Sequence, residues 1–200
     1  MYISMKNFLV LWLFLLMVAC TPTSRDVSRE VGRGRLPEAV TVFLEIVNKD
    51  YALTPRELNQ LLQAIASSRQ FDLNTADRIL TELKPEAKRT VIRWYIQVYL
   101  ESAEQQIQAE DFQRARIIWK RHQEVRQISF PNFEEATPVM GIIDLREAEY
   151  FLANGKNADA KKAYASARKR LTRRAPFDRV QQYAFERLVD DITRKIQQIK

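Results

Sequence analysis

The chain has 200 residues, 46% hydrophobic and 28% charged, with 32 basic residues against 25 acidic ones for a net charge of +7. One histidine and one cysteine leave almost nothing from which to build a metal site, a disulfide or a nucleophile–base pair, and neither a Gly-rich phosphate loop nor a nucleophile elbow occurs. Most enzyme classes fall away on those counts, and only four glycines point to an all-α chain.

Residues 8–19 form an unbroken apolar stretch of twelve behind a single charge, Lys6. A transmembrane helix needs about 20 apolar residues, whereas a signal peptide pairs a positive start with an apolar core of about 7–15 and small residues at the cut. The expectation is an exported protein, with Met5 as good a start as Met1. Met17-Val18-Ala19-Cys20 resembles the lipobox of bacterial lipoproteins, although Met17 stands where leucine is usual. The resemblance implies cleavage before Cys20, lipidation of that cysteine and a stable anchor in the membrane, since each buried CH₂ of an acyl chain contributes about 0.8 kcal/mol. Thr21 follows Cys20 where aspartate would retain such proteins at the inner membrane. In the resemblance to enterobacterial lipoproteins that implies an outer-membrane protein facing the periplasm.

The reading divides the chain into a signal peptide over residues 1–19, a lipidated flexible tether over 20–36 and a helical domain over 37–200. The tether rests on Pro22, Gly32, Gly34 and six charges among few apolar residues, a composition that buries too little surface to offset its ordering entropy.

A short helix over 37–49 gathers Val40, Phe43, Ile46 and Val47. Thr54-Pro55-Arg56-Glu57 is a capping box with proline at the first helical position, and the helix it opens carries Leu58, Leu61, Leu62, Ile65 and Ala66 on one face. A second helix brings Ala76, Ile79, Leu80 and Leu83 inward until Pro85, completing a hairpin. A long helix from Pro85 to about 108 then turns through Ala109-Glu110-Asp111 into one carrying Ala115, Ile118, Trp119 and Val125. After a break at Phe130-Pro131-Asn132, a third hairpin runs through Ile142, Leu145, Ala148, Phe151 and Leu152, turns at Asn154-Gly155, and returns through Ala160, Tyr164 and Ala167.

Aligning the returning helices superposes Ala76 and Leu80, Ala115 and Trp119, and Ala160 and Tyr164. In each pair a small residue lets helices approach and a large one a turn later fills the gap. The last unit resembles a tetratricopeptide repeat: Ala148, Gly155, Ala160, Tyr164 and Ala167 fall on that family's small helix-A residue, turn glycine, and small-large-small series of helix B. The unit around Ala103, Phe112, Ala115 and Trp119 departs from it, with Ala109 to Asp111 in place of the glycine turn and His122 for the last small residue. Spacings of 39 and 45 between the aligned alanines exceed the repeat's usual length of about 34. The resemblance implies an all-α solenoid of stacked antiparallel hairpins. A final helix from about 177 to 200, with Val180, Tyr183, Ala184, Leu188, Ile192 and Ile196 inward, reads as its C-terminal cap.

Glu101-Ser102 is the one pair that suggests an enzyme, since a catalytic glutamate followed by serine marks lytic transglycosylases. Their downstream glycine-leucine-methionine-glutamine segment is absent, so the pair reads as a solvated helix face. His122, between Arg121 and Gln123, reads as a surface or half-buried packing residue. The segment from Gln127 to Met140 is apolar for a loop, with Ile128, Phe130, Pro131, Phe133 and Pro138, and serves either as packing or as a landing site for a partner. With Trp94, Tyr95, Tyr99 and Trp119 it supplies the aromatic residue types that dominate interfaces. The basic residues Lys161, Lys162, Arg168, Lys169, Arg170, Arg173 and Arg174 form either a solvated face or a contact for an anionic surface. The expected function is a non-enzymatic, envelope-anchored protein-binding scaffold or assembly subunit, with no metal, cofactor, small-molecule substrate or nucleic acid. The alternative is a module that holds peptidoglycan or lipopolysaccharide through its basic C-terminal region.

Overall fold

A computed structural model describes residues 22–49, 53–131, 139–172 and 179–199, with side chains in the last stretch from Glu186 onward. All regular structure among the described residues is helical. The helices are α1 (Ser24–Gly32), α2 (Leu36–Asn48), α3 (Pro55–Ala66), α4 (Leu73–Glu82), α5 (Pro85–Gln108), α6 (Phe112–Ser129), α7 (Val139–Ala153), α8 (Asn157–Thr172) and α9 (Arg179–Gln198). The chain separates into two compact units that divide between Trp94 and Tyr95, inside α5.

In the first unit, α1 occupies most of the segment expected to be a tether. The Thr23 backbone N–H and hydroxyl both donate to Asp26 Oδ2 at 2.8 Å, closing the first turn. Val27 is fully buried, and Glu30 is 8% exposed with its carboxylate answered by Arg29 at 3.4 Å, Arg33 at 3.3 Å and Arg35 at 2.5 Å. The charged composition is therefore that of an amphipathic helix with paired charges, and among the described residues helical structure starts at Ser24, ahead of Pro37. The signal peptide region, Cys20 and Thr21 lie outside the described residues.

Helix α2 has Pro37 in its first turn and buries Leu36, Ala39, Val40, Phe43, Leu44 and Ile46. At Thr54 the capping box forms as expected: the Glu57 N–H donates to Thr54 Oγ1 at 3.2 Å and the Thr54 N–H to Glu57 Oε2 at 2.8 Å. The inward faces of α3 and α4 are those of the sequence pattern, with Leu58, Leu61, Leu62, Ile65, Ala76, Ile79, Leu80 and Leu83 buried. Both helices pack on α2, and α1 packs on α2 and α3. The Asn48 carboxamide ties the end of α2 to the α4–α5 junction. It donates to the Glu82 carbonyl at 3.1 Å and accepts from the Lys84 N–H at 2.8 Å, satisfying groups that a helix end leaves open.

In the second unit α7 and α8 form a closely packed hairpin, with α6 against α7 and α9 against α8. Its core is Leu145, Ala148, Ala160, Ala163, Tyr164, Ala167, Leu171, Ile192 and Ile199, with Phe151, Leu188, Val189 and Ile196 packed against it. Each fully buried large apolar side chain of this kind contributes roughly 1.5–3 kcal/mol. The final helix thus covers α8 through Leu188, Ile192, Ile196 and Ile199. The side chains of Val180, Tyr183 and Ala184, expected on the same face, lie outside the described residues. All six residues of the aligned small-large pairs are buried to 1% exposure or less.

One turn occurs three times among the described residues. Gly34, Glu110 and Gly155 are left-handed, with φ of 71°, 61° and 69°. In each case the next residue donates its N–H five residues back, Arg35 to Glu30 at 2.9 Å, Asp111 to Gln106 at 2.9 Å and Lys156 to Phe151 at 2.8 Å. The left-handed residue itself donates three back, to Val31, Ile107 and Leu152. This is the Schellman ending, which satisfies the last carbonyls of a helix and turns the chain sharply. Helices α1 and α2, α5 and α6, and α7 and α8 are joined by it.

Candidate functional site

The aromatic residues expected at a partner surface are mostly core. Tyr95 and Tyr99 are fully buried on α5 and Trp119 is 1% exposed on α6. They close around His122, whose ring stacks on Trp119 at 4.2 Å between centroids and lies 5.5 and 5.4 Å from Tyr95 and Tyr99. The spacing explains the cluster, since Tyr95 and Tyr99 are one turn apart on α5, and Trp119 and His122 share a face of α6. Trp94 is half-buried in the first unit, edge-on to Phe71 at 6.1 Å. Phe130 is half-buried at the end of α6, and Phe133 lies outside the described residues.

His122 is 1% exposed, not a surface residue. Burial, and then the charge of Arg126 one turn further on, pull its pKa down to about 4, so the ring is neutral at neutral pH. Neither ring nitrogen meets a hydrogen-bonding partner among the described residues, and the same holds for Trp119 Nε1 and Ser129 Oγ. An imidazole so enclosed cannot exchange a proton with an external substrate while these helices stay packed.

The second polar centre was not anticipated. Asp144 on α7 is 2% exposed. Its Oδ1 accepts from Arg116 Nε at 3.1 Å and Nη2 at 2.8 Å; its Oδ2 accepts from Ser166 Oγ at 2.6 Å and Arg170 Nε at 2.8 Å. Arg116 also donates to both carboxylate oxygens of Glu147, and these bonds raise its pKa against the opposing effect of burial. The cluster fastens α6, α7 and α8 to one another. Only the charge types and their helical spacing were visible in the sequence, and they do not say which arginine reaches which carboxylate.

This placement changes the reading of the basic C-terminal region. Arg170 belongs to the Asp144 cluster and is not a free surface cation. Lys161, Lys162, Arg168 and Lys169 are exposed on α8, while Arg173 and Arg174 lie outside the described residues. Glu101 is exposed and accepts from Gln97 Nε2 at 2.8 Å one turn earlier.

Two further surfaces were missed. Ile117 and Ile128 on α6 are 60% and 78% exposed and stand three turns apart on one face. On α1, Arg25, Arg29 and Arg33 repeat every fourth residue, all exposed, with exposed Arg35 just beyond. The first unit also has two shallow clefts. One, of about 410 Å³, lies between α1 and α3 beside Arg25, Ser28 and Glu57; the other, of about 300 Å³, lies between α2 and α4 beside Val40, Asn74 and Arg78. Among the described residues no three histidine, cysteine or carboxylate side chains group as metal ligands, and no helix is long and apolar enough to cross a membrane. Compared with protein-family models, with curated proteins and with solved structures, the chain matches none.

Proposed function

We propose that this chain is a lipoprotein of the outer membrane, acylated on Cys20 and facing the periplasm, whose helical hairpins form a tetratricopeptide-like scaffold that binds an envelope protein or helps assemble an envelope complex. The observation that carries the scaffold reading is the recurrence of two local features, which coincide at α5–α6 and α7–α8. The same Schellman turn joins three pairs of helices, and a buried alanine followed four residues later by a buried large side chain recurs in three returning helices. Repetition of a helix pair builds an extended surface suited to an elongated or helical segment. The apolar edge where α6 ends supports a partner contact there, since Ile128 is 78% exposed and Phe130 half-buried beside it.

The test is cross-linking in cells, purification in mild detergent and mass spectrometry of what accompanies the protein. A stoichiometric envelope protein that disappears on Ile128→Asp or Phe130→Ala is the expected result. No protein partner, with glycan or lipopolysaccharide in its place, overturns the scaffold.

The exposed Lys161, Lys162, Arg168 and Lys169 favour a second reading, a module that holds an anionic envelope polymer. Charge reversal at Arg168 and Lys169 abolishes retention by such a polymer and spares a protein partner.

A further inference from the structure

The first helix starts close behind the residue proposed to carry the lipid. Thr23 caps α1 and Ser24 opens it, so three residues, or four Cα-to-Cα steps, separate Cys20 from the helix. Fully extended, they span at most about 14 Å. A flexible tether over residues 20–36 would have let the folded part range far from the bilayer. With α1 in its place, the first helical turn stays within roughly one to two Debye lengths of the lipid surface at physiological salt.

The part of the chain so confined is strongly basic. Arg25, Arg29 and Arg33 form an exposed stripe along α1 and Arg35 extends it past the turn, while Val27 and Glu30 face inward. Four arginines stand against two carboxylates, Asp26 and Glu30. Arg29, Arg33 and Arg35 all reach Glu30, and Asp26 pairs with Arg29 at 2.6 Å. Internal pairing therefore leaves two positive charges over, with the Arg29, Arg33 and Arg35 side chains still 54%, 56% and 47% exposed.

We infer that α1 docks its arginine stripe on the anionic phospholipid headgroups of the leaflet that holds the anchor, so that the first unit lies on the membrane in a fixed orientation. The inference rests on the reading of Cys20 as the lipidated residue. The two signals divide the work: the acyl chains hold the protein, and the arginines, at about 1 kcal/mol each near an anionic surface, choose which face meets the bilayer. Because the short link keeps the helix at the surface, its local concentration there is high without further contacts.

Ser28, exposed on α1 one turn from Arg25 and flanking the stripe, reports this contact. With Cys20 acylated, Ser28→Cys supplies the single free thiol for a nitroxide. Protein purified from bacterial membranes is weighed intact to read acylation. It is then placed in vesicles of phosphatidylethanolamine and phosphatidylglycerol, or of phosphatidylcholine alone. The expected result is a nitroxide several-fold less accessible to a water-soluble relaxant in the anionic vesicles, with the difference erased by high salt. Arg25→Gln with Arg33→Gln shifts the docking equilibrium about thirtyfold towards free, and leaves Arg29 and Arg35 on Glu30; the corresponding lysine pair keeps docking. Equal accessibility in both vesicles with Cys20 acylated overturns the docking and leaves the anchor standing. An unacylated Cys20 overturns the anchor and the docking together.

Discussion

Glu110 and Gly155 occupy the same place in two equivalent turns, with φ of 61° and 69° and matching hydrogen bonds from the residues that follow them. Glycine reaches this conformation freely, whereas a side chain meets the neighbouring carbonyl there at a cost of roughly 1–2 kcal/mol. Glu110→Gly is expected to stabilise the protein by about 1 kcal/mol, less the entropy a glycine restores to the unfolded chain, and Gly155→Ala to destabilise it by a similar amount. Urea denaturation of the two variants checks both signs.

Asp144 is held from three helices, so its removal is expected to act well beyond the loss of one ion pair. Asp144→Ala strands Ser166 and Arg170 and leaves Arg116 with Glu147 alone, a change of about 1–3 kcal/mol, since both arginines keep contact with water and Arg116 keeps a partner. Arg170→Gln costs less, because that side chain is 46% exposed and its attraction is screened by water. A double-mutant cycle on Arg116 and Asp144 measures their coupling. A value near zero would show that Ser166 and Arg170 alone hold the carboxylate.

Much of this architecture was legible in residue spacing. Leu58, Leu61, Leu62 and Ile65 declare the buried face of α3, the Thr54 box its start, and Gly155 the α7–α8 turn, because local hydrogen bonding and periodic burial are written in neighbouring residues. Helix α1 was misread because four arginines within eleven residues resemble a solvated tether, and the burial of Val27 and Glu30 depends on α2 and α3, which composition does not register. The Thr23 and Asp26 box and Gly34 were the local signals that could have found it. Aromatic type alone likewise could not separate surface from core: Tyr95, Tyr99 and Trp119 are buried by their registers on α5 and α6, and the one histidine shares Trp119's face.

Gly141 on α7 lies tight against the end of α8. A Cβ placed there would lie 3.0 Å from both Leu171 Cγ and Cδ2 and 3.3 Å from Arg170 Cβ. Leu171 is buried at 4% exposure and has little room to retreat. Gly141→Ala is therefore expected to destabilise the protein by about 1–3 kcal/mol through overpacking, despite alanine's better helix propensity. Thermal denaturation of Gly141→Ala, alone and with Leu171→Val, checks the cause: relief in the double variant assigns the loss to that contact, and additive loss assigns it elsewhere.

His122 gives the protein a distinct dependence on pH. Its folded pKa is about 4 against an ordinary 6.5, so between those values the unfolded chain binds a proton that the folded one refuses. Stability is then greatest above pH 6.5, falls as the pH drops through the window, and levels off for this group below about 4, with a slope of at most about 1.4 kcal/mol per pH unit. Asp26 and Glu57 have pKa values lowered by their hydrogen bonds to Thr23 and Thr54. The stability they contribute is present above their ordinary values of 3.8 and 4.5 and is lost as pH falls through their lower folded ones. The interval from pH 6.5 down to about 5 thus isolates the histidine. His122→Phe, which keeps an aromatic ring on Trp119, is expected to flatten the urea-unfolding free energy across that interval, to reduce the slope down to about pH 4, and to leave the acid limb below that unchanged. A slope that survives the substitution would locate the proton uptake in another group and remove the enclosed imidazole as its source.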